Sequence, residues 1–181
     1  MPQYAYPDGD DSDGPWVNQA GNNTNLYASI DDTQSSHDDN TTYIQVTDGA
    51  STPICSVTLG DTVTSPEAGE NAYIKYRAVS TNNGMGTLGL KVELLQDTTP
   101  KFTSTTGSVG TSYTDYSLTI GDHSSITDWT ALKLRFTLLN DGSGMMDVLK
   151  VTQAYVEAPA EASSSVPIAA IAMNTYRQMR N

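Results

Sequence analysis

No lysine or arginine occurs before Lys75, although the first 74 residues hold 12 Asp and Glu. Residues 75–181 hold 9 acidic and 9 basic residues, so the formal net charge of −12 belongs to the first segment. Nucleic-acid binding needs clustered Lys and Arg against phosphates, and this chain has no such cluster. An anionic membrane surface would be repelled as well. An acidic half of this kind suits either a basic protein surface or plain solubility. Cys55 is the only cysteine, which excludes an intrachain disulfide framework. It lies in the alternating run Ile54-Cys55-Ser56-Val57-Thr58-Leu59 with no basic neighbour to activate it, and is read as a buried small thiol. No run approaches the roughly 20 apolar residues that span a bilayer. Met1-Pro2-Gln3-Tyr4 lacks a secretory n-region and h-region, so a soluble protein made in a cytoplasm is expected.

Helix-forming stretches are nearly absent before the C-terminus, while Gly, Pro, Ser and Thr are plentiful, a balance that favours an all-β chain. Residues 1–25 are polar and turn-rich and read as an extended acidic arm. Tyr4, Tyr6, Trp16 and Val17 break that background and are the arm's candidate partner-binding residues, since a simple solubility tail seldom needs aromatic anchors.

Residues 26–157 read as one β-sandwich domain. Eight strands are expected, at Leu26–Ile30, Tyr43–Thr47, Cys55–Leu59, Tyr73–Val79, Thr87–Leu95, Tyr113–Ile120, Leu132–Leu139 and Asp147–Glu157. Leu88, Leu90, Val92 and Leu94 share one face, as do Leu132, Leu134, Phe136 and Leu138; this period of two marks half-buried antiparallel strands. Asn83-Gly84 and Asp141-Gly142 supply hairpin signals between strand-like runs. The pattern implies an antiparallel two-sheet sandwich of the jelly-roll kind. A phase change in the last strand predicts a β-bulge near Thr152-Gln153. Residues 158–166 read as a small-residue linker. Residues 167–181 are expected to form a short amphipathic helix with Ile168, Ile171, Ala172, Tyr176 and Met179 on the stripe that would meet a partner.

Chemistry is sparse. The acidic arm fails the EF-hand spacing, because Gly9 and Ala20 stand where Asp and Glu ligands are required. Asp31, Asp32, His37, Asp38 and Asp39 are weak metal candidates of mixed oxygen and nitrogen character, and a solvated acidic loop is the preferred reading. His37 and His123 are the only histidines, and no nucleophile elbow accompanies them. Asp122-His123-Ser124 is read as a turn. No pair of carboxylates is singled out for glycosidase work, and no phosphate loop or zinc spacing occurs. No enzyme and no cofactor are expected. Ten tyrosines and two tryptophans could form a sugar-stacking platform, although strand tyrosines flanking a core are the plainer explanation.

The order of these segments resembles the small jelly-roll-like domains of tailed-bacteriophage virion proteins. The resemblance rests on Leu26–Asp32, Asp38–Ile44, Tyr73–Ala78, Leu88–Leu94, Ile126–Leu132 and Val151–Pro159, spans roughly residues 16–159, and carries no signature motif. It implies a virion component without catalytic residues, of the capsid decoration or cement, head-fibre or tail-associated type. With the arm and the helix, the expectation is a cement protein that binds the major capsid protein or other copies of itself as a homo-oligomer. The alternative is a carbohydrate-binding module on a tail or fibre.

Overall fold

A computed structural model describes residues 2–36, 38–39, 41–50, 53–60, 66, 70–81, 87–139 and 147–159. Eleven strands occur among them: β1 (Gln3–Ala5), β2 (Pro7–Ser12), β3 (Val17–Asn18), β4 (Ile44–Thr47), β5 (Ile54–Leu59), β6 (Ala72–Ser80), β7 (Gly89–Gln96), β8 (Thr99–Thr106), β9 (Thr114–Ile120), β10 (Leu132–Leu139) and β11 (Val148–Ala158). The first sheet runs β3-β4-β11-β6-β9, with β1 also on β11; the second runs β2-β5-β10-β7-β8. Every pairing is antiparallel. The chain is therefore the all-β, jelly-roll-like sandwich that its alternation predicts.

The period of two explains the core. Ala72, Ile74, Tyr76 and Ala78 of β6 point inward, as do Leu90, Val92 and Leu94 of β7 and Leu132, Leu134, Phe136 and Leu138 of β10. Cys55 is buried among them, and burial pushes its thiol pKa well up, which leaves it inert. The expected bulge is present: the register of β11 on β6 shifts between Val151 and Gln153. It moves the inward positions of β11 from Leu149 and Val151 to Ala154 and Val156.

Two expectations need correction, and one further strand was not foreseen. Residues 1–25 are not a free extended arm: β1 pairs with β11, β2 with β5, and β3 with β4. These polar strands are recruited because β5 and β11 would otherwise expose long edges. Leu26–Ile30 is not a strand. Its centre, Tyr27–Ser29, is a 3₁₀ turn entered through Asn25 at φ 55°, with the Tyr27 N–H donating to Asp10 Oδ1 at 2.9 Å. Leu26 and Ile30 are apolar because they plug the core. Thr99–Thr106 is a strand without apolar alternation, folded onto β7 through a two-residue turn at Asp97-Thr98, with Asp97 at φ 55°.

The hairpin signals at Asn83-Gly84 and Asp141-Gly142, and the linker and helix beyond Pro159, lie outside the described residues. Among the described residues no helix is long and apolar enough to cross a membrane.

Candidate functional site

Alternation gives the first sheet an outward face made of polar and aromatic side chains. Tyr73, Lys75, Arg77 and Val79 project from β6; Asp115, Ser117 and Thr119 project from β9; Gln153, Tyr155 and Glu157 project from β11. Register then brings them side by side. Lys75 lies between Ser117 and Tyr155, and Arg77 between Asp115 and Gln153.

A groove of about 260 Å³ opens on this face. Gln34, Lys75, Asp115, Ser117, Gln153 and Tyr155 line it, together with Tyr76 and Tyr116 of the same two strands β6 and β9. The Lys75 ammonium donates to Ser117 Oγ at 2.8 Å, stands 4.8 Å above the Tyr73 ring, and lies 3.9 Å from Glu157 Oε2. It is held from three sides and so meets a ligand with little further loss of freedom. Asp115 accepts from Arg77 at 2.9 Å, yet its side chain is 72% exposed.

One wall is a packed tyrosine cluster. Tyr155 is 5.8 Å from Tyr4 and 5.4 Å from Tyr6, ring centre to ring centre. Burial raises the pKa of the Tyr155 hydroxyl against a hydrogen bond from Gln34, and that of Tyr6 against the Gln34 backbone. Both stay neutral donors at physiological pH.

Another side is formed by Gln34, whose neighbours Asp32, Thr33 and Asp39 are fastened by two clamps. Arg77 grips Asp39 through Nε at 2.6 Å and NH2 at 2.7 Å. Hydrogen bonding to Asp39 pushes the guanidinium pKa up and keeps it charged. The Gln153 amide donates to the carbonyls of Asp32 at 3.0 Å and Thr33 at 2.7 Å. Together they set Gln34 at the rim.

This arrangement accounts for the weak metal candidates. Asp39 is used by Arg77, while Asp38 accepts from Thr42 N at 3.1 Å and from the Thr42 hydroxyl. Asp32 accepts from Asp38 N at 3.3 Å; burial, then the Asp38 charge, pushes its pKa up. Asp31 is exposed, and His37 lies outside the described residues. Among the described residues no group of three or more His, Cys, Asp or Glu could hold a metal ion.

The partner-binding candidates separate. Tyr4 and Tyr6 reach the groove wall. Trp16 does not face a partner: it is 0% exposed, donates to Pro53 O at 3.2 Å and packs 6.4 Å from Phe136. Its indole is a core plug, which is why a polar segment carries it. Val17 is half-buried in β3 opposite Gln45. Ile168, Ile171, Ala172, Tyr176 and Met179 lie outside the described residues. Sequence reading missed Gln34, Lys75, Asp115, Ser117, Gln153 and Tyr155 as a set. The available signal was the polar phase of β6, Tyr73-Lys75-Arg77, whose neighbours only the sheet order reveals.

No family model matches the chain, and no curated protein matches it. Among solved structures, it is similar to one described as CBM4, at 17% identity over 88% of this chain and 95% of that one, with a TM-score of 0.48. It is similar to the CBM36-1 domain of a multidomain xylanase from the hindgut metagenome of Trinervitermes trinervoides, at 14% identity, covering 81% and 98%, with a TM-score of 0.37. It is also similar to the tripod from the baseplate of bacteriophage Tuc2009, at 12% identity, covering 90% and 64%, with a TM-score of 0.37. At such identities and TM-scores, a likeness says nothing of what this chain binds.

Proposed function

We propose that the protein is a non-catalytic carbohydrate-binding sandwich that takes a neutral glycan on the outward face of its first sheet. In keeping with the phage resemblance, it would serve host recognition on a virion tail or fibre. The observation that carries this reading is the groove itself: a pre-shaped, polar concavity in which an ammonium, a carboxylate, amides and hydroxyls converge. Ring hydroxyls both donate and accept, and such a mixed lining serves them better than it serves an apolar or a fully charged ligand. Its volume of about 260 Å³ lies just below the usual range of ligand sites, which suits a single small sugar unit.

Charge selects the neutral class. Glu157 and Asp115 flank the Lys75 ammonium, and the chain carries a net charge of −12, so acidic polysaccharides are repelled. The capsid-cement expectation drew on the N-terminal arm and the C-terminal helix; residues 3–12 are built into the two sheets, and the helix lies outside the described residues.

Affinity electrophoresis of the full chain through gels containing neutral or acidic polysaccharides tests the proposal. Retardation is expected in at least one neutral gel, and Lys75→Met should weaken it about tenfold, the loss of one charged hydrogen-bond donor. Free migration in every gel of a broad neutral panel, together with binding to purified phage heads, would overturn it.

A further inference from the structure

A sandwich has four sheet edges, and three of these are blunted. The edge strand β2 carries Pro7, Gly9 and three aspartates, and its register on β5 breaks twice. The edge strand β8 carries Pro100 and Lys101 and breaks register at Leu94/Leu95. The edge strand β3 is two residues long. All three are ordinary defences against strand addition. The remaining edge, β9, is the least defended: its one charged side chain is Asp115. Its seven residues, Thr114-Asp115-Tyr116-Ser117-Leu118-Thr119-Ile120, pair with β6 without a register break and contain no Pro, Gly or Lys. Among the described residues no strand pairs with its other side.

We infer that β9 is the interface of a symmetric dimer, in which β9 of a second copy adds antiparallel to it and joins the two six-stranded sheets. The sequence of β9 is complementary to itself. A two-fold axis at Ser117 is the one register that pairs all seven residues, and it sets Thr114 against Ile120, Asp115 against Thr119, and Tyr116 against Leu118. A two-fold pairing centred on a residue keeps faces matched, so inward side chains meet inward ones. Tyr116 and Leu118, which are only partly buried against the core, would cover each other across the axis. No carboxylate faces a carboxylate, because Asp115 meets Thr119. The grooves of the two copies, each lined by Asp115 and Ser117, would then flank the axis on one continuous face. This inference stands apart from the glycan reading, and its test contains no sugar.

Thr119 is exposed and opposite Asp115 only in the dimer, so its charge can be set in either direction. Sedimentation equilibrium of the full chain should show a concentration-dependent dimer. Thr119→Lys should tighten it and Thr119→Asp weaken it, each about fivefold in Kd, from two symmetric cross-strand charge pairs. Thermal melts and circular dichroism of both variants should match the wild type, since the position is exposed on the outward face. A wild-type chain that stays monomeric at several hundred micromolar, or two variants that shift the dimer constant in the same direction, would overturn the assignment.

Discussion

Glu93 is the residue on which the second sheet's outward face turns. Its side chain is 5% exposed, yet it sits 2.8 Å from Arg135 Nε and 3.1 Å from Lys91 Nζ. The hydrogen bond from Arg135 lowers its pKa below the ordinary value of 4.5; burial opposes this and the bond from Lys91 adds to it. A carboxylate depressed in the folded state contributes stability above its unfolded pKa and loses it as pH falls through the folded value. Removing one partner of such a group leaves cations near the surface without a counter-charge. Glu93→Gln should therefore cost about 1–2 kcal/mol at pH 7, allowing for the partial exposure of Arg135. The gap to wild type should narrow on going to pH 3. Melting temperatures at the two pH values check this, and an undiminished gap at pH 3 would remove the linkage. Asp13 is the opposite case. Burial and the Asp10 charge raise its pKa, so its ionised form costs stability at neutral pH.

At the scale of elements, the surprise lies in the first twelve residues. Their hydroxyl and carboxylate pairings are specific: Thr58 donates to Asp8 at 2.7 Å, Ser56 donates to Asp11 at 2.7 Å, and Lys133 bonds Asp11 as well. A Cβ at Gly9 would stand 2.8 Å from Thr58 Oγ1, so a side chain there would push Thr58 off its hydrogen bonds to Asp8 and Gly9. Deleting residues 2–12 should strip one edge from β5 and another from β11, lower the melting temperature by about 10 °C or more, and cause aggregation through the bared edges. Light scattering and a thermal melt read both effects, and an unchanged melt would return these residues to the status of an arm. Strands β6, β7, β10 and β11 were legible because one face is core and the other is not, which writes a period of two. β2 and β8 were not, because an edge strand buries little and its sequence answers to hydrogen bonding and edge protection. Leu26–Ile30 misled for the reverse reason: burial makes a 3₁₀ plug as apolar as a strand. The groove was invisible because β6 lies between β11 and β9, so its lining comes from residues 34, 75–76, 115–117, 153 and 155. Only the topology adds those together.

Across the whole molecule, the fold undoes the charge segregation of the chain. The first 74 residues have no cation, yet their carboxylates meet the cations of later strands on both faces: Asp39 with Arg77 on the first sheet, Asp11 with Lys133 on the second. The acidic half is thus partly answered from within. The remainder is not, and the compact state keeps a net charge of −12 that opposes itself. Salt acts on these two parts differently. The Arg77 and Glu93 pairs are short and largely shielded from solvent, so added ions screen them little. Repulsion among the excess negative charges acts through solvent over longer distances, where ions screen it strongly, within about 10 Å at 0.1 M. Raising sodium chloride from 10 to 500 mM at pH 7 should therefore raise the melting temperature by a few degrees, at about 2–4 °C per kcal/mol for a chain of this size. The rise should shrink as the pH approaches the sequence pI of about 4.2, where the self-repulsion vanishes. A melting temperature that falls with salt at pH 7 would mean that the intramolecular pairs, and not the excess charge, dominate the electrostatics of the folded chain.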